Sequence, residues 1–123
     1  ELINPRLIRG EASDAQQQAA AFQLSKVADL VAGFAPVVTK GLADPDPARA
    51  TSWRILQLHG EFAKLLADAM AAKLAGSEDK TKAWALFTWC REHEVALQPW
   101  FDLFEFQQTI APFLGVPRDE INA

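Results

Sequence analysis

Apolar residues recur at helical spacing along most of the chain, which predicts long amphipathic helices. The first apolar seam rises in alternating steps of four and three residues over Ala20, Leu24, Val27, Val31, Phe34 and Val38. Ser13, with Gln16 three residues later, forms a capping-box pattern ahead of this seam. Pro36 removes a backbone donor and is therefore expected to kink or end the helix, and Gly41 is a suitable terminal residue.

A second helix is predicted after the turn-forming segment that ends at Pro47. Asp46 can cap this helix, and Pro47 suits its first turn. Its buried face is predicted to comprise Ile55, Leu58, Phe62, Leu65, Leu66 and Ala69, widened by Leu56, Ala63 and Met70. Such a broad stripe is typical of a helix that contacts two neighbours. The helix is predicted to run to about Ala75 and to end at Gly76.

A third helix and a shorter fourth one complete the predicted pattern. Ser77 is expected to cap the third helix. Its apolar stripe is Ala83, Leu86, Phe87 and Cys90, then Glu94 and Leu97. Pro99 should break or restart the helix. The last apolar face is Trp100, Leu103, Phe106, Ile110 and Leu114.

These elements predict an all-α fold: an antiparallel up-down bundle of three long helices plus a shorter C-terminal helix, because short connections make neighbours antiparallel. We expect a linker or extended segment at 1–12, the helical bundle at 13–114 and a frayed tail at 115–123. The sequence does not begin with Met. We interpret it as a domain cut from a longer polypeptide, the alternative being a processed mature protein.

The charge and composition of the chain exclude several classes of binding partner. The net charge is −4 and the pI about 5.1, so the chain lacks the basic surface that nucleic acid or an anionic membrane requires. No run of 18 apolar residues occurs, so neither a membrane span nor a membrane partner is predicted. The single Cys excludes an internal disulfide and a cysteine-based zinc site. No cofactor is predicted.

The candidate polar pair joins His59 to Glu94. His59 lies 17 positions before Gly76, and Glu94 lies 17 positions after Ser77. If the chain reverses there, the two side chains lie at the same height, and a carboxylate on an apolar stripe calls for a partner. Three alternatives remain open: a buried pair that fixes helix register, a functional site, or no contact.

Other arrangements are weaker candidates for chemistry. A ferritin-like di-metal site needs Glu-x-x-His motifs on two helices, which the residues around His59 and His93 do not form. Asp102 and Glu105 are one turn apart, as paired catalytic carboxylates can be, but they also suit a solvated face. Cys90 lies on the apolar stripe, where burial raises a thiol pKa and makes the thiol inert. We therefore predict no catalytic and no metal-binding residue.

The aromatic composition is uneven, with four Trp and eight Phe but no Tyr. Trp84 and Trp89 are five positions apart, so both rings cannot point at one core. At least one large ring is expected near the surface, where it could dock against a neighbour. The candidate docking aromatics are Trp53, Trp84, Trp89, Trp100 and Phe101.

The spacing of residues between positions 53 and 106 resembles that of the helical domain that follows the catalytic barrel in some bacterial glycoside hydrolases. The residues that carry the resemblance are Trp53, Leu56, His59, Ala63, Ala67, Gly76, Ala83, Trp84 and the run from Glu94 to Asp102. The resemblance implies a packing accessory to a catalytic domain, and it implies no catalytic residue in this chain because the catalytic carboxylates of that family lie on the barrel.

These observations together predict a non-catalytic helical accessory domain of a larger, carbohydrate-active bacterial protein. Its partner would be a neighbouring domain of the same polypeptide or another protein, and carbohydrate would be met only through the parent protein. The alternative is a stand-alone helical interaction module whose aromatic groove takes a partner helix.

Overall fold

A computed structural model describes residues 5–123, and these residues form an all-α structure with no strand among them. Its helices are α1 Pro5–Ile8, α2 Asp14–Leu24, α3 Val27–Leu42, α4 Pro47–Leu74, α5 Thr81–Leu97, α6 Leu103–Ile110 and α7 Arg118–Asn122. The long helix α4 is central, since α2, α3 and α5 all pack against it and α6 packs against α5. The predicted all-α class is therefore confirmed for the described residues.

The first predicted helix is two helices, and the break is not at Pro36. The capping box of Ser13 and Gln16 forms as predicted and begins α2. The helix ends at Leu24, and the hydroxyl of the next residue, Ser25, donates a hydrogen bond to the Phe22 carbonyl at 2.7 Å. Pro36 lies inside α3 on an exposed side, where water can satisfy the carbonyl that loses its donor.

The boundaries of α4 agree with the sequence, whereas the start of α5 does not. The Asp46 carboxylate accepts hydrogen bonds from the backbone N–H groups that follow Pro47, at 2.8 and 3.4 Å. Ser77 does not cap α5: its hydroxyl accepts from the Asp79 N–H at 3.2 Å. The Asp79 carboxylate in turn accepts from the N–H of Thr81 at 2.9 Å, and the helix begins at Thr81 with Lys80 as its N-cap residue.

The core lies between the facing stripes of α4, α5 and the C-terminal segments. Its most deeply buried large side chains are Phe87, Met70, Leu86, Leu114 and Cys90. Most of the predicted α5 stripe is buried, as is the later part of the α4 stripe. These are the positions at which helical periodicity and burial coincide.

The predicted linker and tail both contribute to this core, which corrects those two expectations. Within the first segment, α1 buries Leu7; residues 1–4 lie outside the described part of the chain. At the other end, Val116 and Ile121 are buried, and the Arg91 guanidinium donates a hydrogen bond to the Ile121 carbonyl. Short apolar segments that carry too little periodicity to be recognised are here held by packing against long helices.

Candidate docking surface

The apolar face of α3 is broader than the side of the helix that packs on α4, which is unusual for a helix at the surface of a domain. Between Val27 and Leu42 its polar side chains are Asp29, Thr39 and Lys40. One side of the helix packs closely on α4, because Gly41 receives the ring of Trp53 directly over its backbone.

The other sides of α3 leave large apolar side chains in solvent. The exposed fractions are 59% for Leu30, 65% for Phe34 and 53% for Val37. Leu56 on α4 adds a side chain that is 49% exposed. Phe34 belonged to the predicted core seam, and its exposure is a correction: the other seam positions, Ala20, Leu24, Val27, Val31 and Val38, are buried or half-buried. Contiguous exposed apolar surface of this kind marks a site of interaction.

The same stretch of chain bears on the membrane prediction. Asp14–Leu42 is long and apolar enough to cross a membrane, judged by length and composition alone. The absence of 18 consecutive apolar residues was therefore too strict a criterion. In the structure this stretch is divided at Ser25 and Lys26 into α2 and α3, and both helices pack along α4.

A groove of about 440 Å³ runs between α3 and α4. We call it the α3–α4 groove; its walls are Val31, Phe34, Ala35, Val38, Thr39, Leu56, Gln57, His59, Gly60, Glu61 and Ala63. Gly60 keeps the two helices close, because a Cβ atom there would lie 3.3 Å from Val31 Cγ1. The groove is therefore an apolar cleft whose width is set by a glycine.

A second cavity, the aromatic pocket, adjoins the groove and has a volume of about 190 Å³. It is lined by Leu58, His59, Phe62, Trp89, Leu97, Phe101, Asp102, Leu103 and Phe106. Phe62 contacts Phe106 edge to face at 4.8 Å between ring centroids. The His59 ring stacks on the Phe101 ring, with 6.3 Å between the ring centroids. His59 and Asp102 are the polar side chains of an otherwise apolar wall.

Polar contacts hold the Trp89 ring at the edge of the aromatic pocket. Its indole N–H donates to the Glu61 carboxylate at 3.0 Å. On its other side the ring stacks on His93 at 4.2 Å between centroids. His93 is itself fixed, since its Nδ1–H donates to the Trp89 carbonyl at 2.8 Å. The orientation of Trp89 is thus set from two directions.

A third cavity of about 530 Å³, the C-terminal hollow, lies beyond Phe101. Its walls are Glu94, Val95, Gln98, Phe101, Asp102, Leu103 and Phe104. Val95 is 85% exposed and Phe104 is 51% exposed. Exposed apolar side chains therefore continue past the aromatic pocket toward the end of α5, where they alternate with the polar side chains of Glu94, Gln98 and Asp102.

The structure does not join His59 to Glu94. His59 is exposed and stacks on Phe101, whereas Glu94 is half-buried at the C-terminal hollow. Among residues 5–123 no hydrogen bond or ion pair links the two side chains. Equal sequence distance from the turn did not place the two side chains at the same height, because α5 begins at Thr81 and not directly after Ser77.

The candidate docking aromatics are divided between core, rim and surface. Trp53 covers Gly41 at the α3–α4 contact, and Trp84 packs edge to face on Phe87 at 5.9 Å between centroids. Trp89 and Phe101 line the aromatic pocket. Trp100 is exposed, with an exposed fraction of 53%, whereas the other three tryptophans are half-buried. The sequence did not indicate that Leu30, Val37 and Phe104 belong to the exposed surface, and Leu56, which was predicted to widen the buried face of the second helix, is exposed instead.

The other residues considered for chemistry have roles in the fold or are buried in it. The Asp102 carboxylate accepts from the Glu105 N–H at 2.9 Å and thereby caps α6. Cys90 is buried, and burial, with a smaller contribution from the Glu94 charge, raises the pKa of its thiol to about 12. In the described part of the chain no group of three or more His, Cys, Asp or Glu side chains is placed to hold a metal ion.

Comparison with known proteins returned no match to a family model, to a curated protein or to a solved structure. The resemblance to the helical domain of glycoside hydrolases therefore remains a prediction from residue spacing.

Proposed function

We propose that this chain is a non-catalytic docking domain that binds a protein partner through the apolar surface of α3, the α3–α4 groove and the aromatic pocket. The observation that carries the proposal is the exposure of α3, a helix whose broad apolar face packs on α4 along one side only. Leu30, Phe34 and Val37 are each a little over half exposed, so a partner that buried them would gain roughly 1–2 kcal/mol for each side chain.

Protein, and not lipid, is the partner that the local packing favours. One side of α3 is already committed to α4 through Gly41 and Gly60. Asp29 and Lys40 lie within the helix, and both would be costly in a hydrocarbon environment. A protein surface can bury the apolar side chains and pair these two charges.

The helix arrangement that we propose is an antiparallel up-down bundle. Along α3 and α4, Val31 lies beside Gly60 and Gly41 beside Trp53, so the numbering rises on one helix as it falls on the other. For α4 and α5, Trp89 bonds Glu61 at one end, while Ala69 and Ala83 line one small cavity near the turn. Both relationships support the proposed antiparallel arrangement.

The accessory-domain hypothesis is a special case in which the covering partner is another domain of the same polypeptide. No described contact favours a carbohydrate-active neighbour over any other protein, so the glycoside hydrolase context stays a prediction. The chain itself is proposed to perform no reaction, because Asp102 is engaged as a helix cap and His59 is stacked on an aromatic ring.

The double variant Phe34→Gln with Leu56→Gln tests the proposal. Both side chains are about half exposed or more, so the melting temperature should change little, whereas binding of a hydrophobic dye and recovery of the native partner should both fall. Leu86→Ala is the core control and should cost about 2–5 kcal/mol of stability. If the double variant unfolds as readily as the core variant, these side chains stabilise the fold and the proposal fails.

A further inference from the structure

We infer that the partner presents a basic amphipathic helix, and that this helix lies in a continuous acidic trough formed by the α3–α4 groove, the aromatic pocket and the C-terminal hollow. The inference rests on the proposed docking function and specifies the chemistry of the partner. Three properties of the trough carry it: continuity, apolar walls and the sign of its charge.

The trough is continuous because neighbouring cavities share side chains. His59 lines both the α3–α4 groove and the aromatic pocket. Phe101, Asp102 and Leu103 line both the aromatic pocket and the C-terminal hollow. The three cavities are thus adjacent sections of one surface depression.

The walls suit a helix with one apolar face. Amphipathic helices bind in grooves through side chains spaced three and four residues apart. The aromatic pocket, at about 190 Å³, lies midway along the trough. An apolar cavity of ~150 Å³ takes a benzene ring, so this pocket can receive one large apolar side chain of the partner. The Trp89 ring in the wall of this pocket is already positioned by its contacts with Glu61 and His93.

The charge of the trough selects the polar face of the partner. Carboxylates occur in every section: Glu61 in the groove, Asp102 in the pocket and hollow, and Glu94 in the hollow. No Lys or Arg lines any of the three cavities in the part of the chain that the structure describes. Such a surface attracts Lys and Arg, and it repels acidic proteins and anionic lipid headgroups.

The carboxylates retain the capacity to bind a partner. Glu61 accepts one hydrogen bond from Trp89, and Asp102 accepts one from the Glu105 N–H. An ionised carboxylate has about four acceptor positions. Basic side chains at the rim can therefore pair with these groups without breaking the contacts that shape the trough.

The test uses two fluorescently labelled synthetic helical peptides with the same leucine face. One carries lysines on its polar face and the other carries glutamates. Their binding to the full chain is measured by fluorescence anisotropy at low salt. The lysine peptide should bind at least about tenfold more tightly, and high salt should remove most of that difference.

Two sets of variants locate the effect. The trough variant Glu61→Gln, Glu94→Gln, Asp102→Asn keeps the acceptor for Trp89 and a competent cap for α6, and it should weaken only the lysine peptide, by about tenfold. The control variant Glu78→Gln, Asp119→Asn, Glu120→Gln makes the same change in net charge at exposed sites outside the trough. It should leave the affinity within about twofold. Phe34→Gln with Leu56→Gln should weaken both peptides, because it removes apolar wall.

Each outcome supports or overturns the inference. Equal binding of the two peptides, or equal weakening by the trough and control variants, overturns the basic-helix inference while leaving an apolar docking surface in place. Binding of neither peptide overturns the inference as well. If the chain then cosediments with neutral phosphatidylcholine vesicles, the occupant is lipid and the proposed docking function fails too.

Discussion

The Glu61 carboxylate accepts a hydrogen bond from the indole N–H of Trp89 at 3.0 Å, and this bond connects α4 to α5 at the point where the α3–α4 groove meets the aromatic pocket. Glu61 lines the groove, and Trp89 lines the pocket. The bond thus fixes the wall between the two cavities, although its acceptor is an exposed side chain that the sequence pattern did not single out.

Removing this acceptor should cost a small amount of stability and free the Trp89 ring. We expect Glu61→Ala to lower the free energy of unfolding by about 0.5–1.5 kcal/mol. Glu61→Gln retains an oxygen acceptor and should cost clearly less. Urea denaturation gives the stability, and tryptophan emission reports the ring environment. Equal losses in the two variants would mean that the hydrogen bond does not hold the ring.

The contact between Gly41 and Trp53 should tolerate no added methyl group. A Cβ at position 41 would overlap the Trp53 ring, so Gly41→Ala is expected to lower the free energy of unfolding by about 1–3 kcal/mol. Gly33→Ala is the matched control on the same helix, because nothing lies within 4 Å of a Cβ there. The control should stabilise α3 by about 0.5–1 kcal/mol. Thermal denaturation measures the stability of both variants. If Gly41→Ala is no less stable than Gly33→Ala, the close packing of α3 on α4 is contradicted.

The buried thiol of Cys90 should make stability depend on pH in alkaline solution. Its pKa is raised from 9.0 to about 12 in the folded chain, so the folded state holds a proton that the unfolded state loses. The associated stabilisation is complete below about pH 9 and is lost as the pH rises toward about 12. The loss has a limiting slope of about 1.4 kcal/mol per pH unit.

Cys90→Ala isolates this dependence, since it removes the thiol and leaves the other titrating groups. The wild-type chain should lose stability faster than the variant above about pH 9, as measured by urea denaturation across that range. Parallel curves for the two proteins would show that the thiol ionises equally easily in both states.

The sequence was most informative where one local rule decided the structure. Asp46 and Ser13 cap helices as predicted, because a cap needs only a side-chain oxygen and the two or three N–H groups that follow it. The α5 stripe from Ala83 to Cys90 is buried as predicted, because its periodicity and its neighbours agree.

The sequence was least informative where several local rules compete or where burial depends on a partner. At the turn before α5, Ser77 and Asp79 each accept a hydrogen bond from the N–H two residues on, yet the N-cap position is Lys80, whose side chain makes no capping hydrogen bond. Phe34 satisfies the heptad spacing yet lies on the flank of α3 that α4 does not cover. Periodicity identifies an apolar seam, but it does not say whether the neighbour that covers it belongs to the same chain.

The exposed α3 surface also could not be distinguished from core by composition. Leu30, Phe34 and Val37 are the same kinds of residue as the buried side chains of α5. Only the packing geometry, with one side of α3 on α4 and the others open, separates them. For the same reason, the aromatic pocket around His59 could not be predicted from the sequence. Its walls depend on where residues 97–103 lie, and no local pattern specifies that position.

Site-specific photocrosslinking tests the central claim most directly, since the claim is that protein covers α3. A photoreactive aromatic residue replaces Phe34, and in a control protein it replaces the exposed Glu78. Each is irradiated in the source cells, and linked peptides are identified by mass spectrometry. We predict that position 34 links to one discrete protein surface, in the same polypeptide or in another, and that position 78 does not. Linkage of position 34 to lipid alone, to nothing, or to the same mixture as position 78 would contradict the docking function.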